Sequence, residues 1–202
     1  MRILYQDADF LIVDKPSGLL SQPGKTIEDS VQSRMQALYP QSALVHRLDM
    51  STSGILLVAL HARAHGLLSK QFQEREVSKA YQALVYGTLP APVGRIELPL
   101  MCDWPNRPKQ MVHEDGRYGL TWWQVLAEEA NLTRVRLTPS TGRSHQLRVH
   151  TSHLGFPIIG DDLYAHPAAQ AAAPRLCLHA EWLKFRHPTT GRWFTCHCPC
   201  PF

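Results

Sequence analysis

The stretch that decides the fold is Val45-His46-Arg47-Leu48-Asp49-Met50-Ser51-Thr52-Ser53-Gly54, followed at once by Ile55-Leu56-Leu57-Val58-Ala59-Leu60. The second part is a short apolar run that ends in polar residues, which is typical of a buried strand. The polar part is therefore predicted to be a loop at the rim of a sheet, where binding and catalytic residues often lie. Asp49 is its only carboxylate. For an arbitrary R-x-D pattern, a surface ion pair between Arg47 and Asp49 is the simpler interpretation.

Composition favours one ordinary globular domain over residues 1–202. The chain is 44% hydrophobic and 19% charged, which is enough to build a core. No stretch approaches the roughly 20 apolar residues of a membrane span, and the N-terminus lacks the apolar centre of a signal peptide. We therefore expect a cytoplasmic protein, with a monomer as the default state. A net charge of +4 with neutral histidines is compatible with a polyanionic partner, without being evidence for one.

The five cysteines do not predict a disulfide framework, because their number is odd and no export signal is present. Three of them lie in Cys196-His197-Cys198-Pro199-Cys200. Thiolates and imidazoles suit zinc, but C-x-C-x-C lacks the usual spacing of zinc ligands. In an extended tail the alternation points all three thiols to one side. We interpret this segment as a tail with reduced thiols.

Hydrophobic periodicity predicts the following elements. Helices are expected from a Thr26 cap, with Asp29 reaching back to it, to Pro40; around Ala64–Phe72; and from about Ser144 to Leu154, with Gly155 as the stop. Strands are expected at Ile3–Tyr5, Phe10–Val13, Val77–Tyr86, Leu120–Leu126, Leu132–Thr138, Leu176–Phe185 and Trp193–Thr195. Residues 91–119 are predicted to be an excursion over the surface, and residues 165–173 an alanine-rich stretch of mobile character.

The histidines of the third predicted helix were tested as metal ligands. His145 and His150 are five residues apart and so do not share a helix face, unlike the pair in H-E-x-x-H. His150 and His153 do share a face, but no carboxylate lies near them in sequence. We expect structural histidines and no metal.

Five stretches resemble the RluA-type pseudouridine synthases, in the order that the family has them. The resemblance lies in His46-Arg47-Leu48-Asp49 with Thr52-Ser53-Gly54, in Val13–Gly18, in Lys79-Ala80-Tyr81, in Thr141–His150, and in Gly160-Asp161 with Leu178-His179-Ala180. It spans nearly the whole chain. The sequence of residues 102–110 is similar to that of family members that modify two classes of RNA.

The resemblance implies an α+β pseudouridine synthase fold, with a mixed, mainly antiparallel central sheet flanked by helices and loops. Some relatives carry an S4 domain N-terminally, whereas residues 1–202 are expected to be a single catalytic domain without one. The implied reaction detaches a uracil base from its ribose and rejoins it through C5. It involves neither redox change nor hydrolysis, so no cofactor is expected. The expected substrates are stem-loops of tRNA and 23S rRNA.

The resemblance also assigns candidate site residues. Asp49 is the catalytic carboxylate, Arg47 fills the place of the extruded base, and Tyr81 stacks on that base. Arg143 is expected to pair with Asp49, because an isolated buried carboxylate is very costly, and Leu147 is expected to wall the pocket with apolar surface.

His46 belongs to the same signature and is a candidate for substrate binding. Arg107 and Lys109 interleave with Trp104, a pattern that suits contact with an RNA backbone and a stacked base. A loop pinned by its tryptophan is equally compatible with that composition.

Three alternatives stay open at this point. One is the same chemistry on only tRNA or only rRNA. A second is a non-catalytic RNA-binding module in which Asp49 is structural. A third is a ribosyl hydrolase, which would also place a carboxylate at C1′ but would release free uracil.

Overall fold

A computed structural model describes all 202 residues of the chain. It contains twelve strands and four helices, and along the strands apolar residues either alternate with polar ones or form continuous runs. The strands are β1 (Arg2–Gln6), β2 (Phe10–Lys15), β3 (Ala43–Leu44), β4 (Ser53–Ala59), β5 (Ser78–Tyr86), β6 (Val93–Glu97), β7 (Leu100–Cys102), β8 (Gln110–Val112), β9 (Leu120–Glu129), β10 (Leu132–Pro139), β11 (Leu178–Arg186) and β12 (Trp193–His197). The helices are α1 (Val31–Leu38), α2 (Ala62–Gln73), α3 (Gln146–His153) and α4 (Pro167–Ala171). None of them is long and apolar enough to cross a membrane.

The chain divides into two compact units, residues 1–79 with 179–201 and residues 80–178 with Phe202. In the first unit, β2 pairs antiparallel with β1 and β4, β3 pairs antiparallel with β4, and β12 pairs antiparallel with β11. The strands β4 and β11 run parallel. Every residue of β4 is buried, as expected for the apolar run after the Asp49 loop.

The second unit is built on an antiparallel sheet in the order β5-β10-β9-β6, with the hairpin β7-β8 beside it. Its core contains Ala83, Val85, Val135, Leu137 and Ile158, all at most 1% exposed. The mixed α+β class and the β9–β10 hairpin are therefore confirmed. The excursion at 91–119 is more ordered than expected, since it contains β6, β7 and β8.

The first helix begins later than predicted, because the cap is Ser30 rather than Thr26. Ser30 forms a capping box with Ser33, and Asp29 pairs with Arg34 at 2.7 Å instead of reaching back. Ile27 lies outside the helix and is 51% exposed. The expected mobile stretch at 165–173 was also wrong in part, since it contains α4, whose cap is the imidazole of His166.

Two glycines occupy positions that no other residue fits. Gly54 has φ +111°, and a Cβ there would lie 2.3 Å from the carbonyl oxygen of Ala180. Gly160 has φ +72°, and a Cβ there would lie 1.9 Å from the carbonyl oxygen of Arg175. Both glycines therefore allow a close backbone approach at a left-handed position. Each one belongs to a stretch that carries the family resemblance.

The cysteine tail pairs as a strand only in part. Cys196 and Cys198 are buried, while Cys200 is partly exposed. Burial raises the pKa of both buried thiols, that of Cys198 to about 11. These thiols are consequently protonated and poorly nucleophilic at neutral pH.

Candidate active site

The Asp49 loop is held by backbone contacts on both sides of the carboxylate. Leu48 is buried, and its N–H and carbonyl both bond the hydroxyl of Ser21, at 3.0 and 2.7 Å. On the other side, the N–H of Thr52 donates to the carbonyl of Asp49 at 3.1 Å. Asp49 itself is half-buried, and Arg47 is exposed. The acid is thus presented on a fixed loop, with an exposed cation two residues before it.

Lys15 lies underneath this loop and is completely buried. Its ammonium donates to the carbonyl oxygens of Pro16, Leu19 and Met50 at 3.0, 2.7 and 2.9 Å. Burial lowers the pKa of Lys15 to about 8, and the opposing influence of the Asp49 carboxylate raises it. Lys15 therefore ties β2 to the residue that follows Asp49 and places a positive charge near the acid. Nothing in the local sequence distinguishes Lys15 from a surface lysine.

His46 supports the loop through its imidazole. Its Nε2 accepts the N–H of Leu57 at 3.0 Å, and its ring stacks on Phe72 of α2 with centroids 4.7 Å apart. Burial, and then the charge of Lys79, lower the pKa of His46 to about 3. A neutral imidazole bonded to β4 favours a supporting role for His46, whereas its expected contact with substrate stays a prediction.

Two stretches of the resemblance meet where β4 begins. The hydroxyl of Ser53 lies 2.9 Å from Nδ1 of His179, and the other ring nitrogen of His179 lies 3.2 Å from the carbonyl of Cys198. Because a carbonyl only accepts, Nε2 carries a proton that it donates to Cys198. The Thr52–Gly54 stretch is thereby joined to β11 and to the C-terminal tail.

In the second unit, Tyr81 and Leu147 belong to the same apolar cluster. Tyr81 is a half-buried residue of β5 opposite Leu137 of β10. Leu147 is 7% exposed and lies within the core cluster against which Tyr81 packs. On α3, Thr151 is also buried at 4% exposed, whereas Leu154, just after the helix, is 37% exposed.

Arg143 lies on a turn that Gln146 organises from inside. The buried Gln146 accepts the N–H of Arg143 and the hydroxyl of Thr141 through Oε1, and donates to Leu120 through Nε2. The Nε of Arg143 donates to the carbonyl of Tyr118 at 3.0 Å, and the residue is only half-buried. Its expected pairing with Asp49 stays a prediction.

The buried arginine of this segment is Arg148, which sequence reasoning missed. Its Nε and Nη2 bind both oxygens of Asp161 at 2.8 and 2.7 Å, with side chains only 3% and 1% exposed. Nη2 also contacts Asp162 at 3.0 Å. Both residues stand in stretches that carry the resemblance, which was the available signal. A bidentate pair of this kind fixes helix α3 against the Gly160–Asp161 turn.

Arg107 and Lys109 lie in the exposed loop between β7 and β8. The guanidinium of Arg107 stacks on the ring of Trp104 at 3.5 Å, and Trp104 is 62% exposed. The loop is closed where the N–H of Asp103 donates to the carbonyl of Lys109. It therefore presents a stacked cation and an exposed aromatic ring to solvent, and the expected contact of Arg107 and Lys109 with RNA stays a prediction.

Of the histidines tested as metal ligands, His150 has a structural environment, as predicted. It is fully buried, with Nδ1 2.9 Å from the hydroxyl of Thr121, and burial lowers its pKa to about 4. The structure does assemble one unpredicted group, in which ligand atoms of Asp7, Asp9 and His187 lie within 4.8 Å of one another. The carboxylate of Asp7 bonds the imidazole of His187 and the backbone N–H of Asp9, and that of Asp9 bonds His61, which explains the group as a structural network.

The sequence model of the family described as RNA pseudouridylate synthase matches residues 9–153. The chain belongs to this family. It is 52% identical over 204 residues to the dual-specificity RNA pseudouridine synthase RluA of Pasteurella multocida, covering 99% of this chain and 93% of that protein. The corresponding protein of Escherichia coli K12 is 53% identical over the same shares, and that of Yersinia pestis is 51% identical over both whole chains.

Solved structures agree with this assignment. The human RNA pseudouridylate synthase domain containing 1 superposes with a TM-score of 0.84 at 32% identity, over 99% of this chain and 83% of that one. The predicted family and fold are therefore confirmed, and this pseudouridine synthase is an isomerase acting on RNA. The family match includes residues from both compact units.

Proposed function

We propose that this pseudouridine synthase isomerises one uridine in the tRNA anticodon stem-loop and one in a 23S rRNA hairpin loop. The observation that carries the proposal is identity of about 52% over nearly the full chain to relatives named as dual-specificity enzymes. The sequence of residues 102–110 supports the proposal, because this segment resembles the dual-specificity members of the family. The two units would act as one catalytic domain, in the cytoplasm where both RNAs are made.

Asp49 would be the catalytic carboxylate. Attack on C1′, attack on the base, and removal of a sugar proton all require an ionised acid held in one place. The loop supplies that placement through Ser21 and Thr52, and the buried ammonium of Lys15 bonds the carbonyl of Met50, the residue that follows Asp49. No step requires an electron acceptor or an added water, which agrees with a cofactor-free reaction.

Arg47 would take the place of the extruded uridine. Flipping a base out of a stacked loop costs a few kcal/mol, less than extrusion from a duplex. Arg47 is exposed two residues from Asp49, and a planar guanidinium can stack in the vacated space. Tyr81 would hold the flipped base with its ring, Leu147 would exclude water, and Arg143 would pair with Asp49.

The test uses two synthetic RNAs, an anticodon stem-loop and an rRNA hairpin, with pseudouridine read by mass spectrometry of digested product. Conversion of both supports the proposal, and conversion of one only would reduce it to a single substrate class. Binding without product would identify a non-catalytic module, and free uracil would identify a hydrolase. Mapping pseudouridine in total RNA with and without the gene then locates the natural target positions.

A further inference from the structure

The hydroxyl of Tyr164 joins two segments of the second unit. It accepts the backbone N–H of Gln110 at 2.7 Å and lies 2.6 Å from Nδ1 of His145. Since the hydroxyl accepts from Gln110, its own proton is available to the imidazole. One oxygen therefore bridges the first residue of β8 and the cap of α3.

Gln110 is the fixed end of the exposed loop that carries the cations. It follows Lys109 directly, and Lys109 closes the loop through the N–H of Asp103 at 3.0 Å. Between these two points stand the stacked Trp104 and Arg107. The anchor at Gln110, where β8 begins, therefore fixes the position of the whole loop. Helix α3 packs against the same strand.

His145 is held in an unusual conformation on the other side of the hydroxyl. It caps α3 with φ +53° and ψ +15°, a left-handed conformation that costs energy for a residue other than glycine. The hydrogen bond between its Nδ1 and the hydroxyl of Tyr164, and the edge-on contact of the two rings with centroids 5.6 Å apart, support this conformation. The start of α3 therefore depends on the same tyrosine.

Tyr164 is itself rigidly placed. Its N–H and that of Leu163 donate to a carboxylate oxygen of Asp161, and its carbonyl accepts the hydroxyl of Ser152 at 2.8 Å. The guanidinium of Arg148 lies 5.2 Å from the centre of its ring. The buried Arg148–Asp161 pair thus fixes the tyrosine, and the tyrosine fixes the loop.

We propose that Tyr164 is a positioning residue for RNA, whose hydroxyl holds the Trp104–Lys109 loop in place relative to α3 and so sets substrate affinity through Arg107 and Lys109. This inference rests on the proposed function, in which that loop contacts the RNA backbone. Tyr164 does not touch the reacting atoms in this account. Its loss should therefore weaken binding and leave the chemical step unchanged.

The test is Tyr164→Phe, which removes the hydroxyl and keeps the ring over Arg148. We expect KM and Kd for the stem-loop to rise about fivefold, as the loss of one hydrogen bond gives, with kcat within twofold of the wild type. The slope of log Kd against log salt concentration should become shallower by up to about 1.4, because two phosphate contacts on a single strand are weakened. A merely structural tyrosine would not move that slope.

A double-mutant cycle separates positioning from general damage. In the background of Arg107→Ala with Lys109→Ala, Tyr164→Phe should have no further effect on Kd. His145→Asn, which tolerates the left-handed conformation and removes the imidazole, should shift Kd in the same direction. The control is Tyr39→Phe, since Tyr39 makes one hydroxyl bond to Gln6 in the other unit.

Additive effects in the cycle, an unchanged Kd in Tyr164→Phe, or a loss confined to kcat would overturn the inference. Failure of the proposed function looks different, because the wild type would then bind RNA without forming pseudouridine. Folding of each variant is checked by circular dichroism at the assay temperature. If Tyr164→Phe does not fold, the result for His145→Asn decides.

Discussion

Replacement of Lys15 by methionine tests how the catalytic loop is supported. Methionine matches the length of the lysine stem but leaves three carbonyl oxygens, those of Pro16, Leu19 and Met50, without their donor. A stranded buried acceptor costs about 1–3 kcal/mol, so the gross loss is about 6 kcal/mol. The variant also avoids burying an ammonium, and a fall of the pKa from 10.5 to about 8 corresponds to about 3.4 kcal/mol.

The balance predicts that Lys15→Met lowers the free energy of unfolding by about 3 kcal/mol. Urea denaturation with an unchanged m-value measures this. Because Met50 adjoins Asp49, kcat on the stem-loop should fall at least tenfold, while Kd for RNA changes little. Lys25→Met is the control, since Lys25 is exposed in the same unit. Stability within 0.5 kcal/mol of the wild type together with full kcat would refute the reasoning.

The pH dependence of the free energy of unfolding, compared between the wild type and Lys15→Met, gives a second test. The unfolded chain keeps the Lys15 proton up to about pH 10.5, whereas the folded protein releases it near pH 8. Between these values the unfolded state binds more protons, so the stability of the wild type rises with pH. The difference in stability between wild type and Lys15→Met should therefore grow by about 2 kcal/mol from pH 7.5 to 10. A difference that stays constant would show that Lys15 titrates as an exposed lysine.

Three further predictions concern acids and their partners. Asp49→Asn should abolish pseudouridine formation while urea stability and RNA binding stay close to wild type, and substantial turnover would exclude Asp49 as the catalytic acid. Arg148→Gln should lower the free energy of unfolding, measured by urea denaturation, by about 3–5 kcal/mol, because it leaves the buried Asp161 without its partner. Arg143→Gln should lower it by at most about 1 kcal/mol. Equal losses in the two variants would contradict the structure. The pKa of Asp9 is lowered by hydrogen bonds from Thr189 and then His61, so its stabilising contribution is present above pH 3.8 and is lost as pH falls further. Asp9→Asn should remove that part of the acid-induced loss, measured as the wild-type minus variant difference between pH 5 and 2.

Local pattern predicted most of the elements but not all of their ends. The buried run at Ile55–Leu60 gave a correct strand because it is short and ends in polar residues, and the alternation of β5 gave one because its period is two. The start of α1 was misplaced because Thr26 and Ser30 are both residue types that cap helices. The prediction counted Ile27 as part of the buried helix face, but in the tertiary structure Ile27 is exposed. The start of α3 falls at Gln146 rather than Ser144, since His145 adopts a left-handed conformation that the sequence does not signal.

Polar partners were harder to predict than elements. Lys15 and Arg148 are both ordinary surface residue types, and neither periodicity nor spacing indicates that three carbonyls or a buried carboxylate will surround them. Burial of a charge is tolerated only with such partners, and those partners come from distant positions. The Asp49 loop itself was found because its residues carry a family resemblance. Such a resemblance reflects contacts between distant positions, which local sequence patterns do not indicate.

The stretches that carry the resemblance have a common physical character within each unit. Val13–Gly18 contributes the ammonium that bonds the residue after Asp49, and Thr52–Gly54 contributes a hydroxyl that binds His179. In the second unit, Thr141–His150 contributes a guanidinium that binds the Gly160–Asp161 turn. Each pairing satisfies a buried polar group that would otherwise destabilise the fold. Because such a pairing needs both members, a change in one stretch cannot be absorbed by its neighbours in sequence, and only a compensating change in the distant partner would restore the loop or the helix that it holds.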